Sequence, residues 1–375
     1  MDVSAQWKAR LLQSLVPVRV LTEDHLSALL RDTAPEAMFK GQLLTARGSR
    51  DGQHLYLLSG AVSLRDADGS ERVIDAADAE SCYPLAHCQP REQDVTATED
   101  GYLIRIDSDR LDAMLAWDQA ANCIALDIAG ERALDEDADW MLTLLRSRLF
   151  YKVPPMNIRQ ILDRFEPQYL SSGDVVIRQG ELGDCCYVIK EGSADVYQAA
   201  DERGKPVRVA TLEVGHCFGE DALVNQAARN ATVIMRENGV LMRLAKQDFY
   251  LLLKSPAVQR VDIREFRAGH DGGGVVVDVR SQDEFEQGHW PGAVNIPLNL
   301  LYLKARLLSA ERPCLIYCNS GRRSVAATSL LTEKGYQVQV LRDGFEGLSA
   351  QDREGFCASQ PEAAALRRGD RDCAS

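Results

Sequence analysis

The chain repeats itself. Gly41–Gly48 (GQLLTARG) lies over Gly173–Gly180 (GDVVIRQG), 132 positions later, and the same offset sets LYLLSG, ending at Gly60, over YVIKEG, ending at Gly192. A third pair, GYLIRID from Gly101 and GVLMRLA from Gly239, stands 138 positions apart, so the second copy holds six more residues between these landmarks. Self-similarity on this scale means two related domains rather than one large core. In both copies short apolar strands alternate with Gly-centred turns, the pattern of a β-sandwich or barrel.

After about residue 257 the pattern changes. GGGVVVDVR is a turn feeding a continuous apolar strand, which suits a parallel strand buried on both faces. AVNIPL, PCLIY and QVQVL are further strands, separated by helical stretches such as Ser324–Lys334, so a compact α/β domain with a largely parallel sheet is expected. The expected organisation is a β domain over 1–120, a helical connector over 121–149, a second β domain over 150–256, the α/β domain over 257–352 and a disordered tail over 353–375. Apolar spacing predicts a pair of connecting helices within 110–148, candidates to pair two chains in a homodimer, with the acidic run Asp135–Asp139 as a solvated helix start.

The net charge of −13 and the lack of a Lys/Arg-rich run argue against nucleic acid as a partner. No stretch of 18 apolar residues and no signal-peptide core is present, so a cytoplasmic protein without membrane contact is expected. The ten cysteines are scattered, without paired spacings for zinc or the density of a disulfide scaffold, so free thiols and no metal are expected. Of the adjacent Cys185 and Cys186, one should face inward and one outward on a strand.

The second copy carries FGEDALVNQAARNATV, Phe218–Val233. Gly219 can open a tight turn whose amides approach an anion, Glu220 can accept from a sugar hydroxyl, and Arg229 offers a fork for phosphate oxygens. A helical turn at Asp221–Val224 would aim its first amides at the same anion. This segment resembles the phosphate-binding cassette of cyclic nucleotide-binding domains, and the upstream GDVVIRQGELGDCCYVIKEGSADVY resembles that family's β-roll. The resemblance implies phosphate contacts from Arg229 and the amides of Asp221, Ala222 and Asn230, with Glu220 and the Gly219 backbone on the ribose. It makes cAMP or cGMP the regulatory ligand, and Asn230 leaves the choice between them open. No cofactor is expected. The first copy departs from the pattern: Pro84 and Leu85, within YPLAH, replace the Gly and Glu, which removes an amide and an acceptor. Arg91 falls on Arg229 at offset 138 and, without those partners, is expected to be a relic or an ordinary surface arginine.

Cys318 ends the strand CLIY, and Asn319, Ser320, Gly321, Arg322 and Arg323 close a turn before a helix near Ser324. Amides converging at a helix N-terminus stabilise a thiolate, and the two arginines should put positive potential at the mouth. The loop resembles the rhodanese active-site loop C-x-x-G-x-R-S, and DVRSQDEFEQGHWPGAVNIPL (Asp278–Leu298) resembles that family's second signature. The resemblance implies that Cys318 takes sulfane sulfur from a small donor such as thiosulfate and passes it, as a persulfide, to a thiol or an acceptor protein. The related phosphatases use C-x5-R; here Ser324 stands six after Cys318 and the arginine comes one earlier, which favours sulfur transfer. Asp278 and Arg280 read as organisers of the strand end and His289 as a packing residue; Asp343 and Leu348 stand where the family has Gly and Trp.

The sequence thus predicts a multidomain α+β chain: two β-roll (jelly-roll) domains, the first degenerate, and a C-terminal α/β rhodanese-type domain, forming a cyclic-nucleotide-responsive sulfurtransferase of bacterial type. The rivals are a sensor that uses the rhodanese domain only for docking and a constitutive sulfurtransferase with the β-rolls as scaffold.

Overall fold

A computed structural model describes residues 14–131, 140–141, 154, 157–199, 205–225, 227–253 and 258–353. The acidic run 135–139 and the tail from Cys357, with Cys357 and Cys373, lie outside the described residues. The chain forms two compact units, one of residues 1–119 with 258–375 and the other of residues 120–257. Among the described residues no helix is long and apolar enough to cross a membrane, and the eight cysteines are all free thiols.

In the first unit two antiparallel sheets share a core. One runs in the order Glu36–Met38, Gly101–Asp107, Gln53–Ser59; the other runs Leu43–Thr45, Asp94–Ala97, Ala61–Arg65, Glu71–Asp75. Their inward residues, Leu55, Leu57, Val62, Leu64, Val95 and Leu103 among them, are almost wholly buried. Each such side chain contributes on the order of 1.5–3 kcal/mol. The outer face of the first sheet is covered by helices: Tyr56, Ile104 and Ile106 pack with Leu26 and Leu29 of Glu23–Asp32 and with Leu111 and Leu115 of Ser108–Glu131. Asp118 joins these helices by accepting from the Thr22 amide at 2.8 Å and pairing with His25 Nδ1 at 2.7 Å. Of the two connecting helices expected within 110–148, the first is a helix of 24 residues from Ser108 to Glu131; Trp140 and Met141 are helical as well, and the rest of 132–148 lies outside the described residues. No Pro or Gly interrupts it before Gly130, and its buried face serves the sheet.

The same unit contains a five-stranded, all-parallel sheet in the order Arg260–Val261, Val338–Leu341, Cys314–Tyr317, Val275–Asp278, Val294–Asn295. The central strand is buried at every position, as the continuous apolar run requires. Two of its helices begin with capping boxes, Asp262 with Glu265 and Ser281 with Glu284. Ion pairs join this α/β part to the first sheet pair, Arg19 with Asp283 and Arg353 with Glu92. A cavity of about 480 Å³ lies between them, lined by Leu64, Ile74 and His54 on one side and by Arg280, Asn319 and Phe345 on the other.

The second unit is another pair of antiparallel sheets. One runs Cys217–Phe218, Cys185–Glu191, Gly239–Ala245, Glu166–Leu170; the other runs Val207–Leu212, Ala194–Gln198, Thr232–Met235, Val175–Ile177. Tyr187 stacks on Phe218 in the core, with ring centroids 5.4 Å apart. The adjacent cysteines do not divide between core and solvent: both are buried, Cys185 at 2% and Cys186 at 0% exposure. Cys185 joins the core, and the short helices Glu220–Val224 and Lys246–Leu252 pack on the strand that carries both.

Candidate ligand site and candidate active site

In the second unit the cassette forms a turn around one arginine. Gly219 is in the left-handed region, φ 85°, and starts the helix Glu220–Val224, one residue ahead of the expected Asp221. Arg229 is buried; its Nη1 donates to the Gly219 carbonyl at 2.6 Å and its Nη2 to the Cys185 carbonyl at 2.7 Å. A Cβ at Gly219 would lie 2.8 Å from Arg229 Nη1, so both the positive φ and the close guanidinium favour glycine here. Glu220 is half-buried, its Oε2 has no hydrogen-bond partner, and burial pushes its carboxyl up. An unpartnered carboxylate oxygen beside a buried guanidinium suits a sugar hydroxyl next to a phosphate. Ala222 is buried in the same turn, and Asn230 Nδ2 donates to Asp221 Oδ2 at 3.3 Å. The chain thus brings Gly219, Glu220, Asp221, Ala222, Arg229 and Asn230 together.

Sequence reasoning missed Gly183. A Cβ there would come within 2.6 Å of Ala222 Cβ, so glycine is what lets the cassette close on the strand. At the repeat offset its counterpart is Asp51, whose carboxylate accepts from Arg91. Arg91 is not a surface residue: it is 1% exposed. Its Nη2 donates to the Gln53 carbonyl, as Arg229 does to Cys185, and also to Asp51 Oδ1 at 2.7 Å; Nη1 donates to the Ala86 carbonyl at 2.7 Å. Asp51 supplies a fixed anion to this arginine. The signal was available, since Asp against Gly at offset 132 is visible in the alignment of the copies.

In the α/β part, the strand Cys314–Tyr317 delivers Cys318 to a loop that ends at the helix Arg322–Thr332. Gly321 takes φ 89°, which turns the chain back so that its amide donates to Cys318 Sγ at 3.1 Å and the Ser324 amide donates at 3.4 Å. Cys318 is fully buried. Burial and the nearby Asp112 push its thiol up, against the opposing pull of Arg323 and Ser324. The arginines part company: Arg322 is exposed, but Arg323 has no exposure and does not face the mouth as expected. Its guanidinium is consumed by Glu284, at 2.7 and 2.8 Å, and by Asp112, at 3.2 Å. Burial opposes ionisation of Glu284, yet Arg323 holds its carboxyl at about 2.

Glu284 also caps its own helix at Ser281 and accepts from Asn319 Nδ2 at 2.8 Å, so a single carboxylate fixes both the loop and the helix. Asp278 and Arg280 pair at 2.7 Å at the strand end, and His289 stacks on Phe285 with centroids 3.7 Å apart. The segment after the last strand clamps the loop backbone: the amides of Phe345 and Glu346 donate to the carbonyls of Cys318 and Asn319 at 2.7 and 3.0 Å. Asp343 takes φ 61°, a conformation Asp tolerates better than most residues, and Leu348 is buried. Two residues of this site escaped sequence reasoning. Glu284 had a signal, the S-x-x-E box; Asp112, on the helix Ser108–Glu131, had none. Asp112 accepts from the Ser320 amide as well as from Arg323, both at 3.2 Å.

Residues 167–255 match the family model of the cyclic nucleotide-binding domain, and residues 248–351 that of the rhodanese-like domain. The chain is similar to cGMP-dependent protein kinase 2 of Mus musculus, 32% identical over 104 residues, 28% of this chain and 14% of the kinase. It is similar to the cAMP-dependent protein kinase regulatory subunit of Blastocladiella emersonii, 28% identical over 241 residues, 63% of this chain and 56% of the subunit. The chain therefore spans between a seventh and about half of these relatives. Among solved structures, the regulatory domain of Toxoplasma gondii PKA with cAMP is 23% identical with a TM-score of 0.29, covering 67% of this chain and 92% of that one. The chain joins a cyclic nucleotide-binding domain, residues 167–255, to a rhodanese-like domain, residues 248–351.

Proposed function

We propose that this protein is a sulfurtransferase of the cytoplasm whose activity responds to cAMP or cGMP. The observation that carries the catalytic half is the pair of amides, Gly321 and Ser324, converging on Cys318 Sγ at a helix N-terminus. They stabilise the thiolate and the persulfide anion that follows it. The thiolate attacks the outer sulfur of thiosulfate, a Cys–S–S bond forms, the S–S bond of thiosulfate breaks and sulfite leaves with the electron pair. An acceptor thiolate, or cyanide as a probe, then attacks the terminal sulfur and returns the Cys318 thiolate.

The regulatory half rests on the cassette of Gly219, Glu220 and Arg229 in the second β-roll. The first β-roll, with Arg91 already occupied by Asp51, is a degenerate copy that holds no cyclic nucleotide. The complete burial of Cys318 favours a second reading, in which the α/β domain docks a partner without catalysis. Thiosulfate:cyanide turnover by the full chain, with and without each nucleotide and against Cys318→Ser, separates the two. Turnover that needs Cys318 and shifts with nucleotide is expected; turnover absent under every condition would leave the docking reading.

A further inference from the structure

Asp112 does not belong to the rhodanese-like domain, yet its carboxylate lies in the cradle of the nucleophile. It accepts from the Ser320 amide and from Arg323 Nη2, both at 3.2 Å, and is 3% exposed. The loop amides and arginine of such a cradle are the groups that would receive an anion approaching Cys318. Alongside it, Asp109 pairs with Arg322 at 3.2 Å, so the one outward-facing arginine of the loop is also engaged by the same helix. Cys318 itself has no exposure.

We propose that Asp112 is a resident anion in the Cys318 cradle and gates it, so that an anionic sulfur donor enters only when the helix carrying Asp112 leaves the loop. The proposal rests on the sulfurtransferase reading for its donor, but the gate itself is a property of the thiol. An incoming anion meets a buried carboxylate beside the loop and finds the Ser320 amide and one Arg323 nitrogen taken. A neutral reagent meets the same steric barrier without the charge. The helix Ser108–Glu131 continues beyond residue 119, where the first unit ends, so it is a covalent link between the cradle and the unit with the nucleotide cassette.

The test is alkylation of Cys318 in the full chain, read at that residue by peptide mass spectrometry, with neutral iodoacetamide and anionic iodoacetate. Asp112→Asn keeps the shape and removes the charge; the iodoacetate rate should rise about tenfold relative to iodoacetamide. Asp112→Glu keeps the charge and should hold the ratio near that of the parent protein. An Asn variant with an unchanged ratio, or a Glu variant that behaves like Asn, would make Asp112 an ordinary interface carboxylate and end the proposal. Thiosulfate turnover, measured in parallel, distinguishes the two ideas. A shifted ratio without turnover in any variant keeps the gate and removes the sulfurtransferase reading; turnover with a flat ratio does the reverse.

Discussion

Arg323 grips Glu284 with both terminal nitrogens, at 2.7 and 2.8 Å, and the pair is sealed from solvent. Glu284 in turn holds Asn319 and the start of its own helix, so the ion pair fixes the loop that carries Cys318. Removing one partner of such a pair leaves a buried charge uncompensated, which costs more than the pair contributes. Arg323→Met would strand both Glu284 and Asp112. We expect a loss of about 3–5 kcal/mol in the stability of the first unit, read as a lower denaturant midpoint. Cys318 alkylation should lose its site selectivity as the loop loosens. A midpoint equal to that of the parent protein would show that the network is not what holds the loop.

Arg91 and Arg229 share a backbone contact but differ in their carboxylate partner, Asp51 at 2.7 Å for Arg91 and Asp184 at 3.4 Å for Arg229. Arg229→Ala should weaken binding of a fluorescent cyclic nucleotide by at least about 100-fold, since a charge-assisted phosphate contact contributes roughly 1.5–3 kcal/mol and the turn it holds also opens. Arg91→Ala should leave nucleotide affinity unchanged and lower stability instead, because Asp51 and two carbonyls lose their donor. Equal loss of binding in both variants would mean that the first β-roll takes part in recognition.

Glycine at 219 and at 183 is a matter of space as well as conformation. Gly219→Ala combines φ 85° with a Cβ 2.8 Å from Arg229 Nη1, and Gly183→Ala places a Cβ 2.6 Å from Ala222. Both should reduce nucleotide affinity, Gly219→Ala by roughly tenfold or more, given left-handed strain of about 1–2 kcal/mol before any clash. Isothermal titration reads both. An alanine at 183 with full affinity would mean that the cassette can shift without consequence for the ligand.

How much of this was legible in the sequence depends on how far apart the interacting residues lie. The strands, the left-handed glycines 219 and 321 and the amides behind Cys318 are local, set by turn residues and apolar runs, and the sequence predicted their arrangement. Arg323 was misplaced at the mouth because its burial is decided by Glu284, 39 positions earlier, and by Asp112, 211 positions earlier. Arg91 was underrated for the same reason: its partner Asp51 precedes it by 40 positions. The cysteine pair failed differently. Alternation gives the two faces of a strand, but not whether a helix covers the second one.

Glu346 gives the first unit a stability profile whose sign can be worked out. Burial raises its carboxyl to about 8, while His54, 3.7 Å away, is lowered by burial to about 3, so the two meet as neutral groups rather than as an ion pair. His87, Cys88, Asp112 and Glu284 also act on this carboxyl; only His87 opposes the upward shift. A carboxyl with a raised folded value keeps a proton that the unfolded chain releases from its ordinary value of 4.5 upward. Its contribution is therefore intact below pH 4.5 and is lost as pH rises to about 8. Each pH unit in that window costs up to about 1.4 kcal/mol. His54 acts in the opposite sense, binding its proton only when unfolded between about 3 and 6.5, which offsets Glu346 in the acid part of the range. From pH 6.5 to 8 the Glu346 effect stands without that offset. The melting temperature of the first unit should fall across this interval, and Glu346→Gln should flatten the fall and melt higher than the parent protein at pH 8. A Gln variant that keeps the parent slope would assign the profile to other groups.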